Sequence, residues 1–359
     1  MLAAEPPPSG LPEAEAELGD HRDGEAQPHA EAQRHAEGHD SHNAHDGQRT
    51  LIAVWGPKGA PGRTTIATNL AFEAVPLADE TLLVDGDTYG GTIAQLLGFL
   101  EDYPGLAWAA RLASRGELDA PKLWQATRRA GADGPRVLVG LPRADLWTEV
   151  RPSTWEALLD LFRAAFPLTV VDLGFCLEED EELLYDHVRF RRNAVTRMTL
   201  QRADTVVAVA RADPIGLHDF IRGYQELRDL DIPAGRIKVV VNQVRSGPFG
   251  GDRPAEQVSA ALVRYLGIQP AAFIPYDRAG LDAALMAGQA LREARPGSAA
   301  HEALAELTAT LLGHPRPTRG RGRGRRRANA QPTRRRTRWN GNPTGPAMTW
   351  KGTGASGWQ

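Results

Sequence analysis

The chain has 359 residues but only one cysteine, Cys176, and no long apolar run. A single cysteine excludes a disulfide framework within the chain, so a reducing cytoplasm is the expected compartment. We interpret Cys176 as a small buried residue rather than a redox switch. No apolar run approaches the roughly 20 residues that a membrane-spanning helix needs. The acidic, proline-rich start also lacks the basic-then-apolar order of a secretory signal, which again favours a cytoplasmic protein.

The chain has little net charge overall, but its charge is strongly divided along its length. The total is −3 at pH 7. Residues 1–49 contain eleven acidic residues and three arginines, whereas residues 314–359 contain eleven arginines, one lysine and no acid. Residues 50–313 contain 34 acidic and 27 basic residues. The near-neutral total therefore says little about partners, and each segment is interpreted by itself.

The acidic N-terminal segment 1–49 is predicted to be disordered. Its mixture of Ala, Glu, Pro and His cannot bury enough apolar surface to offset the entropy lost on ordering. Six histidines suggest metal scavenging as an alternative to a solvated polar tail, but no spacing fixes a coordination geometry. These histidines are His21, His29, His35, His39, His42 and His45.

The middle of the chain, 50–313, predicts one α/β domain. Runs rich in Val, Leu and Ile alternate with amphipathic helical patterns, which predicts a mostly parallel sheet covered by helices on both faces. The predicted strands are 50–56, 81–87, 136–142, 168–174, 205–213, 236–244 and 271–277. The predicted helices include 64–75, 153–166, 216–230, 254–267, 279–294 and 298–313.

The basic C-terminal segment 314–359 is also predicted to be disordered, because it has no apolar periodicity. Its arginines, concentrated in 316–338, and its tryptophans suit nucleic acid through phosphate neutralisation and stacking. The same residues suit an anionic membrane surface, although no amphipathic helical stripe is present. Docking onto the acidic segment 1–49 and a purely solubilising role remain as alternatives.

The stretch "PKGAPGRTT", 57–65, follows a predicted strand and precedes a predicted helix. In such a unit the loop amides and the helix N-terminus converge on one point, which binds phosphate. Gly59 and Gly62 supply backbone freedom, Thr64 supplies a hydroxyl for Mg²⁺, and Arg63 or Lys58 supplies a cation. The simple G-x-x-x-x-G-K-[ST] pattern is not met, so the loop alone does not separate a phosphate site from a glycine-rich turn.

This stretch resembles the deviant Walker A loop, x-K-G-G-x-G-K-[ST]-T, of the MinD/ParA family of P-loop ATPases. Lys58 falls on the signature lysine of that family, Ala60 replaces a glycine, and Arg63 replaces the Walker lysine. The other matching positions are Gly59, Gly62, Thr64 and Thr65. The resemblance implies ATP and Mg²⁺ as ligands, and a nucleotide-binding set of Lys58, Gly59, Ala60, Pro61, Gly62, Arg63, Thr64, Thr65, Asn242 and Pro275.

Further segments resemble the same family in the same order along the chain. "LLVDGDTYGG" implies that Asp87 lies near the metal and the attacking water, and "TVVDLG" implies that Asp172 lies beside Mg²⁺ with Gly174 near the γ-phosphate. "VVVNQV" implies that Asn242 contacts adenine, and "FIPYD" that Pro275 lines the base. The implied catalytic residues are Lys58, Arg63 and Asp87, and the implied metal ligands are Thr64, Asp87 and Asp172.

Each of these polar residues also has an ordinary structural use. Asp85 and Asp87 suit a turn after a strand, Asp172 suits a strand end, and Asn242 suits a hydrogen bond to a loop. Their shared position at the carboxyl ends of predicted parallel strands favours a site, because open parallel sheets bind ligands there.

The family resemblance implies an ATP-dependent homodimer, in which Lys58 reaches the phosphates of the second subunit. Hydrolysis is a separate question. Arg63 is planar and bulkier than the ammonium it replaces. Phosphoryl transfer depends on positioning and charge stabilisation, so we expect ATP·Mg²⁺ to bind and to be hydrolysed slowly or not at all.

The cargo of the switch is not named by the sequence. Family members position division, chromosome, pilus or secretion machinery on membrane or DNA, so we expect an unidentified cargo protein and a location peripheral to membrane or nucleoid. Residues 103–142 resemble the CpaE/TadZ-like branch, without its receiver domain. Residues 175–204, acidic and then basic, predict either a solvated loop with a helix start or a partner surface. The alternatives are a non-hydrolysing scaffold on a decayed ATPase fold and a DNA-partitioning ATPase.

Overall fold

A computed structural model describes residues 49–59, 62–99, 105–179, 191–247 and 253–314. Within these ranges the chain forms an eight-stranded sheet with helices on both faces. The strands are β1 (Thr50–Trp55), β2 (Thr81–Gly86), β3 (Arg128–Arg129), β4 (Arg136–Leu138), β5 (Leu168–Leu173), β6 (Thr205–Arg211), β7 (Ile237–Val244) and β8 (Ala272–Pro275).

Eleven α-helices lie in the same part of the chain. They are α1 (Arg63–Ala74), α2 (Ile93–Leu96), α3 (Gly105–Ser114), α4 (Ala120–Ala126), α5 (Pro152–Ala165), α6 (Ala194–Arg202), α7 (Pro214–Arg228), α8 (Pro254–Leu266), α9 (Arg278–Ala287), α10 (Leu291–Ala294) and α11 (Ala299–Leu311). None of the helices described is both long enough and apolar enough to cross a membrane.

The sheet order, β3-β4-β2-β5-β1-β6-β7-β8, brings three strands of the candidate site together. Every neighbouring pair is parallel except β3 with β4. Asp172 on β5 is in register with Val54 on β1 and with Asp85 on β2. Two carboxylates therefore lie side by side at the carboxyl edge, where the order of the strands reverses around β1 and ligands bind in such sheets. The predicted fold class is confirmed.

Each face of the sheet has its own apolar core, as the continuous apolar strands predict. One core contains Trp155 and Phe162 of α5 and Phe220 of α7, all fully buried. The other contains Ile66 of α1 and Leu304 of α11. Burial of both faces fixes α1 against the sheet centre, and its N-terminus then lies at the carboxyl edge.

Several predicted boundaries are wrong. The strand predicted over 136–142 ends at Leu138, and β3, which pairs antiparallel with β4, is too short for any sequence pattern to reveal. The helix predicted over 279–294 is two helices, because Gly288 adopts a left-handed φ of 62° and ends α9. The predicted tails, apart from Arg49 and His314, and the residues Ala60 and Pro61 lie outside the described residues.

Candidate functional site

The phosphate-binding prediction rests on the start of α1. Gly62 precedes the helix with φ 103° and ψ 12°, a conformation that favours glycine, and no side chain caps the helix. The first turn therefore presents backbone N–H groups and the positive end of the helix dipole to the loop. Such a terminus accepts an anion.

Thr64 and Asp172 join this helix to the sheet. The Thr64 hydroxyl donates to Asp172 Oδ2 at 2.6 Å. The other oxygen, Asp172 Oδ1, is buried and accepts no hydrogen bond within the protein. An unsatisfied buried carboxylate oxygen beside a hydroxyl is a suitable donor pair for Mg²⁺, which commonly uses one or two protein ligands together with phosphate and water. The two residues thus fit the predicted metal site.

Cation ligation by protein groups alone is not supported. Among the described residues, no group of three or more His, Cys, Asp or Glu side chains is arranged to hold a metal ion. A cation at Thr64 and Asp172 therefore needs oxygens from a bound phosphate or from water, as Mg²⁺ bound with a nucleotide has.

Arg63 is the first residue of α1, and its guanidinium is engaged inside the protein. Nη1 donates to the carbonyl oxygens of Gly56 at 3.1 Å and Pro57 at 3.3 Å. Nη2 lies 3.7 Å from Asp87 Oδ2, with both side chains mostly buried. The positive charge is therefore held between the loop and a predicted catalytic carboxylate.

Asp87 is fixed in a tight turn after β2. Its Oδ1 accepts from Tyr89 N at 2.9 Å and from Gly90 N at 3.3 Å. A Cβ atom at Gly174 would lie 3.1 Å from the same oxygen. The missing side chain at Gly174 thus lets Asp87 approach the end of β5, so the two predicted residues are adjacent.

Asp85 was assigned no ligand from the sequence, yet it is the buried centre of the acidic cluster. Its carboxylate accepts from the backbone N–H groups of Asp87 at 3.3 Å and Ile93 at 3.1 Å. Burial, together with the neighbouring Asp87 charge, raises the pKa of Asp85 to about 7. Burial and the Asp85 charge also raise the pKa of Asp172 well above its ordinary value. Positive charge near this edge would therefore stabilise the ionised forms of both carboxyls.

The predicted base-binding residues lie together, but they leave little space. Thr65, Asn242 and Pro275 line one cleft whose free volume is about 10 Å³, room for about one water molecule. A Cβ at Gly62 would overlap the Asn242 amide, so this amide lies directly over the loop. A planar base would enter this cleft only if the cleft opened. Gln243 also lines this cleft and has a φ of 58° at an irregular stretch of β7. It was not predicted as a site residue.

Lys58 is exposed. It lines an open cleft of about 200 Å³ that also contains the acidic side chains of Glu178, Asp219 and Glu226. Gly59 has φ 71°, and a Cβ there would lie 3.2 Å from Asp219 Oδ2, so α7 packs closely under the loop. Sequence reasoning did not find Asp219, because its helical pattern carries no motif.

The predicted residues therefore form three neighbouring groups. One contains Arg63, Thr64, Asp87 and Asp172; a second contains Thr65, Asn242 and Pro275; the third contains Lys58 with Gly59. The geometry of the first group suits phosphate and a divalent cation.

Solved structures of ATPases share this fold. A ParA family ATPase from Chlorobium tepidum TLS has a TM-score of 0.60 at 18% identity, over 72% of this chain and 98% of that chain. The septum site-determining protein MinD complexed with Mg-ADP from Pyrococcus horikoshii OT3 has a TM-score of 0.56 at 16% identity, over 73% and 95%. A Cyanothece McdA–ATP complex has a TM-score of 0.55 at 17% identity, over 76% and 98%.

These likenesses establish the fold. The chain has the fold of ParA/MinD-type P-loop ATPases, and the predicted resemblance is confirmed at that level. No protein-family model matches the sequence. No curated protein matches it either.

Substitution of Asp85 by asparagine is expected to change how stability depends on pH. The pKa of Asp85 rises from 3.8 to about 7 on folding, so between these values the folded chain holds a proton that the unfolded chain has released. Its contribution to stability is therefore complete below the unfolded pKa and is lost as pH rises toward 7, by up to about 1.4 kcal/mol per pH unit.

Urea unfolding of the two proteins in EDTA, at several pH values across this window, measures the effect. The stability of the natural chain relative to Asp85→Asn should fall as pH rises. Parallel pH dependences for the two proteins would show that Asp85 titrates normally.

Proposed function

We propose, from the ParA/MinD-type fold, that this chain binds ATP·Mg²⁺ and acts as an ATP-gated homodimeric switch that positions or assembles cellular cargo. The observation that carries the proposal is the contact of Thr64 with Asp172, which leaves a buried carboxylate oxygen unsatisfied at an uncapped helix N-terminus. Phosphate and a divalent cation together satisfy all of these groups.

Each residue has a distinct task in this proposal. The first-turn amides of α1 bind the phosphates, and Thr64 and Asp172 hold Mg²⁺. The metal, when bound, supplies neutralisation of phosphate charge. Asp87, held by the amides of Tyr89 and Gly90, orients the attacking water.

Slow hydrolysis follows from the position of Arg63. To reach an outer phosphate, its guanidinium must leave the carbonyls of Gly56 and Pro57 and the carboxylate of Asp87. The charge still favours a bound anion from where it lies, so binding is retained. Transition-state stabilisation needs close placement at the reacting phosphate, so chemistry suffers more than binding.

Replacing Arg63 by lysine restores the compact cation of the family pattern. We expect ATP turnover to rise about tenfold or more, with the Kd for ATP·Mg²⁺ within about threefold. Steady-state phosphate release and equilibrium binding measure the two effects. Arg63→Ala is the matched control, which should weaken binding without raising turnover. Fast turnover by the natural chain would contradict the proposal.

Dimerisation is proposed to depend on Lys58. The side chain is exposed in an open cleft beside Glu178, Asp219 and Glu226, available to a second subunit. Lys58→Ala should abolish the ATP-dependent increase in mass seen by size-exclusion with light scattering, while ATP binding falls less than about tenfold. Lys122→Ala, at a lysine remote from the loop, is the control. A Lys58→Ala protein that still dimerises with ATP would refute this role.

The proposed cargo classes come from proteins that this chain resembles in fold. Solved structures with the same fold include a MinC:MinD cell division protein complex from Aquifex aeolicus and a putative plasmid partition protein from Borrelia burgdorferi B31. The proposed cargo classes are pilus or secretion machinery, division machinery and chromosome machinery. The resemblance of residues 103–142 favours the CpaE/TadZ-like branch. The protein would then act in the cytoplasm, peripheral to membrane or nucleoid.

The basic segment 316–338 is proposed to hold nucleic acid or an anionic membrane. Deletion of 316–359 should remove salt-sensitive binding either to duplex DNA or to phosphatidylserine vesicles, because phosphate neutralisation depends on ionic strength. Gel-shift and vesicle sedimentation assays at low and high salt separate the two partners. Binding that survives the deletion in both assays would exclude this role.

A nucleotide-insensitive scaffold is the second candidate. It is favoured by the cleft at Asn242 and Pro275, which is too small for adenine without rearrangement. ATP affinity measured with and without Mg²⁺ separates the candidates, because a scaffold of this kind gains no affinity from the metal.

A further inference from the structure

Tyr89 connects the turn that holds Asp87 to the residues that follow β5 and to those that precede α6. Its ring contacts both Arg192, whose guanidinium carbon is 3.8 Å from the ring centre, and Phe175, whose ring centre is 5.2 Å away at a tilt of 42°. Guanidinium–aromatic and tilted aromatic contacts are both favourable. The ring therefore bridges the segment after β2, the segment after β5 and the residues before α6.

The Tyr89 hydroxyl extends the same connection. It donates to Asn193 Oδ1 at 2.9 Å. Asn193 is buried, and its amide nitrogen donates in turn to the Glu178 carbonyl at 2.9 Å and to Cys176 Sγ at 3.4 Å. A single side chain thus links the turn at Asp87 to the wall of the cleft that contains Lys58.

The backbone near Tyr89 makes this link stiff. Its N–H holds Asp87 Oδ1 at 2.9 Å. Arg192 Nη2 donates to the Thr88 carbonyl at 2.9 Å, and Thr88 Oγ1 donates to the Arg192 carbonyl at 3.4 Å. Movement of Asp87 therefore requires movement of residues 88–89 and of the chain at 192–193.

Residues 175–179, at the other end of this network, also make hydrogen bonds and an ion pair with other elements. The Phe175 carbonyl accepts from Trp55 Nε1 at 3.2 Å, and the Leu177 carbonyl accepts from Arg197 Nη1 at 2.6 Å. Glu179 pairs with Arg191 at 2.9 Å. These contacts join the segment 175–179 to the start of α6 as one connected surface.

We propose that Tyr89 is a positioning residue that couples the phosphate site to the surface formed by 175–179 and 191–197. The coupling rests on the proposed function, because a bound phosphate and a divalent cation add charge beside Asp87, whose one salt bridge within the described residues is with Arg63. The Asp87 turn then shifts, and Tyr89 transmits the shift to Arg192 and Asn193. Sites couple in this way when contacts of both depend on one packed element.

Hydrogen exchange measured by mass spectrometry tests the coupling on the full-length chain with and without ATP·Mg²⁺. In the natural protein, peptides covering 56–66 and 191–200 should both change exchange on nucleotide addition. In Tyr89→Leu, the change at 56–66 should persist and the change at 191–200 should be lost. The affinity for ATP·Mg²⁺ should fall about tenfold, because the coupled surface no longer adds to the stability of the nucleotide-bound state.

Tyr265→Leu is the matched control, because Tyr265 is an exposed tyrosine that also lies against an arginine, Arg264, at 5.5 Å. It should behave as the natural protein does. Tyr89→Phe, which keeps the ring and removes the hydroxyl, should retain part of the response. If Tyr89→Leu does not fold, Arg192→Gln tests the same contact by removing the guanidinium that lies over the Tyr89 ring.

The outcomes separate the coupling from the proposed function. Equal responses at 191–200 in the natural protein, Tyr89→Leu and Arg192→Gln would overturn the coupling while leaving the nucleotide site intact. A response at 56–66 with none at 191–200 in the natural protein would overturn it too. No response at 56–66 in the natural protein would overturn the nucleotide site and the coupling together.

Discussion

The hydrogen bond from Thr64 to Asp172 joins the first turn of α1 to the carboxyl end of β5, and the candidate site depends on it. It places a helix N-terminus, a hydroxyl and a buried carboxylate at one point. The parallel register sets Asp85 beside Asp172. Burial and the neighbouring charge of Asp85 raise the pKa of Asp172, so a nearby cation would stabilise the charged forms of these carboxylates.

Arg63 supplies part of that positive charge from within the protein. Its ion pair with Asp87 compensates one carboxylate, while its hydrogen bonds to the loop carbonyls hold the guanidinium back. A lysine has fewer donors and no planar fork, so it makes fewer such contacts. In the function that we propose, Arg63 therefore stabilises the loop more than it stabilises a transition state. A switch that holds nucleotide longer is the functional consequence that we propose.

The sequence predicted the sheet, because continuous apolar strands are a local pattern, whereas the grouping of Arg63, Thr64 and Asp172 was implied by the family resemblance. It did not predict the closed cleft at Asn242, because that depends on how a side chain packs over Gly62. Tyr89 was also missed, since its partners are more than 80 residues distant along the chain. Asp85 was placed at the predicted site edge but given no role there, because its burial is a property of the packed sheet.

The central claim is that nucleotide is held while its chemistry is slowed. The most direct measurement incubates the natural chain with Mg²⁺ and ATP labelled at its γ-phosphate and in its base, separates the bound fraction rapidly, and quantifies bound ATP and ADP over time. We predict that one ATP is bound per chain and that it stays uncleaved over a time in which an ordinary ATPase completes many turnovers. Absence of bound nucleotide, or rapid conversion of the bound fraction to ADP, would contradict the account.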